Sequence, residues 1–529
     1  MFDISSIERN RQELQKLLDG KKSQEERNAG GQFPTPINLA KDILFHAQKL
    51  LPNRSKVRFL DPGFGTGSFF SALLYTFPTD RVTAATGYEI DPHYGRPAKE
   101  LWRDTLLDLR LTDFTKERFP RSESEKYNLI ICNPPYVRHH HIINGDKARL
   151  QQVAFQASSI TLSGLSGLYC YFLAISRCRM EKNGIAGWLI PSEFMDVNYG
   201  KAIKEYLLGN VTLLQIHRFD PNDVQFDDAL VSSAIVWLKN KPTLKNHRVK
   251  FTFGGSIDNP DYEKDLSISV LSREAKWTRF PLLEEREEAS YPKVSEFFTV
   301  KRGIATGDND FFVLPVDEIK RKKLPLTQFV PILPSPRYIE ETEILSDDNG
   351  NPLTKKQLFV LDCKLSLGTV KRQYRELWDY LQEGIQRGVP ERYLCRHRKP
   401  WYSQEYRPSS LFYCTYIGRS DTKGKKPFRF ILNHSKAIVS NTYLILYPKP
   451  NFQKAISNNP EMAKSVVNAL NDITAQAMLD EGRVYGGGLH KLEPKELSNI
   501  DATALMKAVG DVQRAKRRIQ LSLFADTTL

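Results

Sequence analysis

The stretch Phe59-Leu-Asp-Pro-Gly-Phe-Gly-Thr-Gly-Ser68 decides how the first half of the chain is interpreted. It continues the β-rich run Val57–Leu60 and leads directly into Phe69–Tyr75, which has a helical pattern. Glycines in a strand-to-helix turn allow a tight turn and let a ligand approach the backbone closely. The stretch has neither the Gly-Lys-Ser/Thr of a phosphate loop nor the full spacing of a dinucleotide fingerprint. It therefore predicts an adenosine ligand of another kind, with a plain structural turn as the alternative.

Short β-rich runs alternate with helical stretches on both sides of this turn. The alternation predicts an α/β fold, a Rossmann-like parallel sheet flanked by helices. The expected strands are Val57–Leu60, Val82–Ile90, Asn128–Cys132, Ile185–Ile190, Leu213–Phe219 and Ala234–Leu238.

Three segments are expected along the chain. Residues 1–28 have the pattern of a charged helical arm, and residues 29–242 form the α/β domain. A Lys/Pro/Asn linker, Lys239–Lys245, follows. Beyond it, strand-like runs and turns take the place of the regular alternation of strands and helices. Residues 243–529 are therefore predicted as a mixed α+β domain with a helical C-terminal part.

Composition bounds the class of protein. Hydrophobic residues make up 40% and charged residues 26% of the 529 residues, as in a soluble globular protein. No apolar run is long enough for a membrane span, and Met1–Gln15 lacks the pattern of an export signal. The six scattered cysteines form no Cys-x-x-Cys pair, which indicates neither a disulfide framework nor a zinc cluster. We expect a cytoplasmic protein with no membrane partner.

The positive charge is concentrated in the second half of the chain. Residues 241–529 contain 46 Lys and Arg against 35 Asp and Glu, whereas residues 1–240 contain 30 against 27. A local excess of this kind is what phosphate neutralisation requires, although a solvated basic face gives the same count.

Acidic residues stand at two later points of the chain, one after a β-rich run and one in a loop after a helical stretch. Glu89, in Gly87-Tyr-Glu-Ile-Asp91, comes about twenty residues after the glycines, where a carboxylate can accept both hydroxyls of a ribose. Farther on, Leu111-Thr-Asp-Phe114 offers Asp113 as an acceptor for an adenine amino group and Phe114 as a border of the ring. A turn or helix-cap role is the alternative for Asp113.

The motif Asn133-Pro-Pro-Tyr136 stands at the end of the next buried run. Two prolines stop the strand and fix the backbone at the edge of the sheet where ligands of α/β proteins bind. The Asn133 side chain and the Pro134 carbonyl offer two acceptors for one amino group, and Tyr136 offers a planar face. An aromatic amine is a poor nucleophile, and two acceptors that draw its nitrogen toward tetrahedral geometry favour methyl transfer from a sulfonium. A rigid structural turn is the alternative.

Taken in this order, these motifs resemble the γ-ordered N6-adenine DNA methyltransferases of restriction-modification systems, over about residues 30–240. The resemblance includes Gly31-Gln-Phe-Pro-Thr-Pro36, similar to a family motif whose Thr helps to hold S-adenosylmethionine. It implies that cofactor is bound by Thr35, Asp61, Gly63, Gly65, Glu89, Ile90, Asp113 and Phe114, and that Asn133, Pro134, Pro135 and Tyr136 form the catalytic motif.

The resemblance also implies a stacking aromatic and a DNA-recognition domain. Phe226 lies in a segment similar to a late catalytic-domain loop of the family, where it would stack on a flipped adenine; a core role is the alternative. Basic and aromatic residues interleave at Arg396–Tyr402 and Lys423–Arg429, which predicts phosphate contacts. The expected DNA-binding residues are Arg138, Arg398, Lys426 and Arg429. The three histidines of Val137–His141 stand without a carboxylate or thiolate cluster, so no metal site is expected.

The sequence thus predicts a site-specific adenine methyltransferase that acts on double-stranded DNA and protects host DNA. We expect a monomer, with any cognate endonuclease on a separate chain. One rival shares the Asn-Pro-Pro-Tyr chemistry but acts on RNA or on a protein glutamine. A second rival is a catalytically inactive DNA-binding relative.

Overall fold

A computed structural model describes residues 3–142, 144–220, 232–281, 291–419, 426–474, 477–478, 481–485 and 489–510. The chain divides into two compact units, the first comprising Met1–Arg286 with Tyr485–Gly487 and the second the remaining residues. Within the described part, no helix is both long and apolar enough to cross a bilayer.

The first unit alternates helices and strands as the sequence predicts. Its helices are α1 (Ile4–Asp19), α2 (Gln24–Gly30), α3 (Ile37–Leu50), α4 (Ser68–Thr76), α5 (Pro92–Leu101), α6 (Asn144–Ser158), α7 (Leu168–Ser176), α8 (Lys201–Gly209) and α9 (Ile268–Arg273). Its strands are β1 (Val57–Asp61), β2 (Val82–Tyr88), β3 (Leu107–Arg110), β4 (Tyr127–Cys132), β5 (Met180–Pro191), β6 (Thr212–Arg218), β7 (Ser233–Lys239), β8 (Arg248–Phe253) and β9 (Tyr262–Ser267).

These strands form one sheet in the order β3-β2-β1-β4-β5-β7-β6-β8-β9. Strands β1 to β5 are parallel to their neighbours, but β7 runs antiparallel between β5 and β6. The expectation of a wholly parallel sheet is therefore wrong at β7. The direction of this strand is invisible in its sequence because Ser233–Trp237 is buried throughout, as in a central parallel strand.

The boundary of the first unit differs from the expected 242/243. Strand β8 pairs with β6 and β9 pairs with β8, so both strands extend the same sheet beyond the linker. In β8 exposed and buried residues alternate over Arg248–Phe251, and β9 is largely exposed. This half-exposed pattern differs from the buried strands β4, β5 and β7 before it.

Strand β3 was not predicted. Its sequence, Leu107-Asp-Leu-Arg110, carries two charges, and it lies at the edge of the sheet with Leu109 as its buried residue. A short charged edge strand has little of the apolar run that identifies central strands.

Two clusters of buried residues cover the two faces of the sheet. On β4, Ile130 and Cys132 belong to one cluster, whereas Leu129 and Ile131 belong to the other. Because successive side chains of a strand point to opposite faces, the clusters lie on opposite sides. The functional motifs follow strands whose own side chains are fixed in these cores.

The second unit is mixed α+β. Its helices are α10 (Val294–Phe297), α11 (Asn309–Phe312), α12 (Val316–Arg321), α13 (Leu367–Gln373), α14 (Arg375–Gln386), α15 (Pro450–Ser457), α16 (Pro460–Asp472) and α17 (Pro494–Asn499). Its strands are β10 (Phe298–Arg302), β11 (Val313–Pro315), β12 (Phe329–Ile332), β13 (Glu343–Ile344), β14 (Leu358–Leu361), β15 (Phe412–Thr415), β16 (Ile417–Arg419), β17 (Phe430–Asn433), β18 (Tyr443–Pro448), β19 (Arg483–Tyr485) and β20 (Leu489–Lys491).

Three small sheets organise this unit. The described strands form the orders β10-β18-β15-β17-β13, β11-β14-β12 and β16-β20-β19. The first sheet packs with α15 and α16 into a core that includes Phe412, Leu446 and Val466. The predicted change from a regular βα rhythm to a mixed architecture is thus found, although it begins after β9.

The glycine turn between β1 and α4 gives a prediction about stability. Gly67 has φ 94°, and a Cβ placed there would lie 2.7 Å from the Phe64 ring and 2.7 Å from Trp102 Nε1. Gly67→Ala should lower the free energy of unfolding by about 2–4 kcal/mol, because it adds a clash with buried rings to the cost of left-handed backbone.

Gly65→Ala is the matched control. Gly65 also has a positive φ, 57°, but a Cβ there meets no atom within 4 Å. Its cost should be limited to about 1–2 kcal/mol of backbone strain. Urea unfolding of both variants measures the difference, and equal losses would show that the two rings do not restrict position 67.

Candidate functional site

A cavity of about 360 Å³ lies at the carboxyl ends of β1, β2 and β4 in the first unit. This volume is in the range of small-molecule sites, and this edge of an α/β sheet is where ligands bind. All the predicted cofactor residues line the cavity: Thr35, Asp61, Gly63, Gly65, Glu89, Ile90, Asp113 and Phe114. Asn133 and Pro135 of the predicted catalytic motif line it as well.

Asp61 ends β1 at the base of the cavity and is 1% exposed. One carboxyl oxygen accepts a hydrogen bond from Gly63 N at 3.1 Å, and the other has no hydrogen-bond partner among the described residues. Burial raises the pKa of Asp61 to about 8; the Gly63 N–H opposes the shift, and the nearby Glu89 adds to it. A buried carboxyl with a spare oxygen is suited to a cationic ligand, which would favour its ionised form.

Glu89 follows β2 and is held by two backbone N–H groups. Gly65 N donates to its Oε2 at 2.8 Å, and Asp91 N donates to its Oε1 at 2.7 Å. Burial raises the pKa of Glu89, although both N–H donors oppose the shift. Each carboxylate oxygen retains a second lone pair, so a fixed Glu89 can still accept hydroxyl groups from a ligand in the cavity. Beside it, the Ile90 side chain is 68% exposed and offers an apolar surface.

Asp113 caps a 3-10 helix, which is the alternative role that its sequence context indicated. Its Oδ1 accepts from Thr115 N at 2.9 Å and from Thr115 Oγ1 at 2.8 Å, at the start of the 3-10 helix Phe114–Lys116. Its Oδ2 lies 3.9 Å from Arg149 Nη2. Phe114 is 2% exposed and packs against Tyr88 and Phe172. Both residues border the cavity, so the cap does not exclude the adenine contact, which stays a prediction.

Asn133 follows β4, and its amide is held in one orientation. Its Nδ2 donates to the Phe33 carbonyl at 2.9 Å and to Thr35 Oγ1 at 3.1 Å. A carbonyl only accepts hydrogen bonds, so the nitrogen must face Phe33 and the amide oxygen must point the other way. That oxygen, Oδ1, is buried and has no hydrogen-bond partner among the described residues.

The prolines and Tyr136 complete the motif. Pro134 is buried, and Tyr136 N donates to the Gly31 carbonyl at 3.0 Å, which ties the motif to the end of α2. The Tyr136 hydroxyl donates to the Leu189 carbonyl at 3.1 Å, and its ring is 9% exposed. Neither Pro134 nor Tyr136 is among the residues that line the cavity. The stacking role of Tyr136 therefore stays a prediction, and Phe226 lies outside the described residues.

Three of the four expected DNA-binding residues hold backbone carbonyls of the second unit. Arg398 donates to the carbonyls of Thr306 and Ala305, and burial lowers its pKa. Lys426 donates to Ile473 and Asn471 carbonyls at the end of α16. Arg429 donates to the carbonyls of Pro336, Ile339 and Glu340. Each of the three therefore has a structural role in its loop, and the DNA-binding role assigned to it stays a prediction. Arg138, in the first unit, is exposed.

The three histidines pack against one another rather than around a centre. The rings of His139 and His140 lie 5.3 Å apart and those of His140 and His141 lie 4.2 Å apart. Over the described ranges, no group of three or more histidine, cysteine or acidic side chains is placed to hold a metal ion. His141 lines the cavity.

Sequence reasoning missed the contribution of the N-terminal arm. Gln15 and Asp19 of α1 line the cavity, and Tyr94 donates a hydrogen bond to Asp19 at 2.9 Å. The signal available was a set of polar residues on the side of α1 that carries the apolar Leu18. Arg11, Gln15 and Leu18 are three or four residues apart, the spacing of one helix face.

Comparisons with known proteins agree with the motifs. A family model described as the Eco57I restriction-modification methylase matches residues 90–225. A second, described as the C-terminal domain of the Type II methyltransferase M.Eco57I, matches residues 274–526. The chain is 28% identical over 512 residues to the Type II methyltransferase M.AccI of Acinetobacter calcoaceticus, covering 92% of this chain and 88% of that protein. With M.XamI of Xanthomonas campestris pv. amaranthicola it shares 25% identity over 490 residues, covering 90% and 85%.

Two solved structures share the fold. The Type IIL restriction-modification enzyme MmeI, in complex with DNA, has a TM-score of 0.50 at 14% identity, covering 96% of this chain and 75% of that chain. A DrdV–DNA complex determined by cryoEM has a TM-score of 0.53 at 13% identity, covering 95% and 59%.

The strand order and the cavity at the carboxyl ends of β1, β2 and β4 define a Rossmann-like α/β domain. The family models and the relatives are methyltransferases, and the methyl donor of this domain is S-adenosylmethionine. The Asp61 oxygen that has no partner among the described residues fits a cationic ligand, and the spare lone pairs of Glu89 fit a ribose. Both family models describe methylases or methyltransferases of the Eco57I type, and the chain is similar to Type II methyltransferases over about nine-tenths of its length.

Asp61 gives a prediction about pH. Because its pKa is raised to about 8, the carboxyl is mostly protonated at pH 7, and a cationic ligand must displace that proton. Below pH 8, affinity for S-adenosylmethionine should therefore rise with pH, by up to about tenfold per unit, and level off above the pKa.

Calorimetric titration with the cofactor between pH 6 and 9 tests this expectation. Asp61→Asn is the control, because it keeps an acceptor for Gly63 N but cannot titrate. Any titration of the cofactor's own amino group affects both proteins equally. Identical pH profiles would remove Asp61 from the binding equilibrium.

Proposed function

We propose that this enzyme transfers a methyl group from S-adenosylmethionine to N6 of an adenine flipped out of duplex DNA. The observation that carries the proposal is the buried Oδ1 of Asn133, which has no hydrogen-bond partner in the described part of the chain. A buried acceptor without a donor is costly, and an amino group entering from a substrate would supply that donor.

The two acceptors of the motif favour an amine rather than a hydroxyl or a thiol as the acceptor of the methyl group. Asn133 Oδ1 and the Pro134 carbonyl can each take one hydrogen of an amino group. Their pull lets the nitrogen lone pair leave the aromatic ring and point toward the methyl carbon. No general base is needed for attack, since the proton leaves the positively charged nitrogen after the bond has formed.

S-adenosylmethionine supplies an electrophilic methyl carbon whose bond to sulfur breaks as the bond to nitrogen forms. This chain's residues bind and orient the cofactor. We assign its ribose to Glu89, its adenine to Asp113, Phe114 and Ile90, and its methionine end to the surroundings of Thr35 and Asp61. Thr35 would act on both reactants, because it also accepts a hydrogen bond from Asn133.

An adenine inside a duplex cannot reach a buried acceptor, so the target base must leave the helix. Tyr136 and Phe226 are the proposed stacking partners. The relatives M.AccI and M.XamI are Type II methyltransferases, and MmeI and DrdV have structures with DNA. These likenesses favour duplex DNA over the RNA and protein-glutamine alternatives. The proposed biological role is to protect host DNA against a cognate endonuclease on a separate chain.

Asn133→Ala should reduce methyl transfer by about a hundredfold or more, because it removes an interaction that strengthens in the transition state. Affinity for the cofactor should change little. Nucleoside mass spectrometry of digested duplex DNA measures N6-methyladenine directly.

Asn128→Ala is the control for the loss of an amide from the same strand, at the end remote from the cavity. Asn128 bonds to the backbone of Arg58 and Lys56 and has no part in the proposed site. Methylated cytosine, or product only in RNA or protein, would contradict the substrate assignment. Normal turnover of Asn133→Ala would contradict the mechanism.

Arg138 is exposed, whereas the guanidinium of Arg398 holds two backbone carbonyls, so their substitution should have different effects. Arg138→Met should weaken DNA binding and reduce the salt dependence by about one phosphate contact, with unfolding unchanged. Arg398→Met should instead lower the unfolding temperature, since the carbonyls of Thr306 and Ala305 lose their donor. Fluorescence anisotropy at several salt concentrations and thermal unfolding separate the two effects. Equal salt slopes for Arg138→Met and the wild type would exclude Arg138 from phosphate contact.

A further inference from the structure

The two backbone donors that hold Glu89 belong to turns that are themselves held by the N-terminal arm, residues 3–32. One donor is Gly65 N, in the glycine turn, and the other is Asp91 N, at the start of α5. The arm contacts Thr66, the neighbour of Gly65, and it contacts Asp91 directly. It therefore reaches both sides of Glu89.

The first contact is made by the Thr66 hydroxyl, which both accepts and donates a hydrogen bond. Arg11 Nη1 donates to Thr66 Oγ1 at 3.0 Å, and Thr66 Oγ1 donates to Gln15 Oε1 at 2.6 Å. Arg11 is 3% exposed and forms two hydrogen bonds with the carboxylate of Glu8, which is also buried. A hydroxyl has one hydrogen to donate, so these partners fix its direction. The Thr66 carbonyl accepts a hydrogen bond from Trp102 Nε1 at 2.9 Å, so Thr66 is also held by the residue that follows α5.

The second contact is an ion pair at the other turn. Lys22 pairs with Asp91 Oδ2, and Gln32 Nε2 donates to the same oxygen at 2.8 Å. Asp91 Oδ1 accepts from His93 N and caps α5. Burial opposes ionisation here, but the hydrogen bonds from Lys22, Gln32 and His93 outweigh it and lower the pKa of Asp91. Asp91 is thus a charged anchor, and its own N–H is aimed at Glu89.

We propose that the N-terminal arm is a working part of the cofactor site, in which Thr66 and Lys22 are positioning residues that hold Glu89 for the ribose. The inference rests on the proposed role of Glu89. The arm also forms part of the wall, since Gln15 and Asp19 line the same cavity. Loss of either contact should loosen a turn that donates to Glu89 and weaken cofactor binding, without affecting the methyl-accepting side of the site.

Thr66→Val tests the first contact, because it keeps the shape of the side chain and removes the hydroxyl. Affinity for S-adenosylmethionine, measured calorimetrically without DNA, should fall about threefold to tenfold. The KM for cofactor should rise by the same factor, with kcat at saturating cofactor and the KM for DNA unchanged. Thr66→Ser should restore the affinity. Thr76→Val is the control, since Thr76 is also buried but its hydroxyl donates within its own helix, to the Ala72 carbonyl.

Lys22→Met tests the second contact independently and lies nearer the surface, so folding is less at risk. It should weaken cofactor binding about threefold to tenfold, and Lys21→Met, its exposed neighbour, should not. Unfolding temperatures of all variants without cofactor show whether any loss of affinity comes from general instability.

Glu89→Ala, measured in parallel, separates this inference from the assignment on which it rests. Weak binding by Glu89→Ala with normal binding by Thr66→Val and Lys22→Met would overturn the positioning role alone. Normal binding by Glu89→Ala would overturn the ribose assignment and the inference with it. A fall in kcat at saturating cofactor, with no change in cofactor affinity, would also overturn the inference.

Discussion

The clamp on the Asn133 amide is the interaction on which the rest of the site depends. Two acceptors from the segment before α3, the Phe33 carbonyl and the Thr35 hydroxyl, take both amide hydrogens and leave the oxygen buried. The clamp requires that segment to lie against the end of β4. The hydrogen bond from Tyr136 N to the Gly31 carbonyl holds it there, so this early segment and the Asn-Pro-Pro-Tyr motif form one unit of structure.

The site also depends on the sheet, which brings turns that are distant in sequence to one edge. Strands β1, β2 and β4 are parallel neighbours, so the turns after them meet at one edge although they are far apart in sequence. Two carboxyl groups, Asp61 and Glu89, meet there in a partly desolvated cavity, and burial raises the pKa of each. Such an arrangement favours a ligand that brings both hydroxyl groups and positive charge, as S-adenosylmethionine does.

The sequence allowed the cavity to be predicted far better than its surroundings. The glycine turn, Glu89 and Asn133 each follow a buried apolar run, and parallel pairing alone brings such positions together. The direction of β7, the charged edge strand β3 and the half-exposed β8 gave no comparable signal. Their placement depends on pairing partners, which periodicity does not encode.

For the basic residues, composition did not predict the hydrogen-bond partners that each side chain has in the structure. Arg398 and Arg429 stand in clusters with aromatic residues, yet their guanidinium groups satisfy loop carbonyls. A guanidinium brings five donors in a fixed fork, and whether these meet phosphate or backbone is decided by the path of distant loops. The same reason hid the contacts of α1, whose polar side chains Arg11 and Gln15 are explained only by the position of Thr66.

In the proposed reaction, the buried oxygen of Asn133 would also act as a filter on the bases that could enter. An exocyclic amino group presents hydrogens to it, whereas O4 of thymine at the same position would bring two lone pairs face to face in a desolvated site. A site built to accept N–H hydrogens discriminates strongly against a ligand that lacks them. A site that relies on shape alone discriminates much less. The filter passes cytosine as readily as adenine, because both carry an amino group. Discrimination between one-ring and two-ring bases must therefore come from the walls of the base pocket rather than from the group that activates the nitrogen.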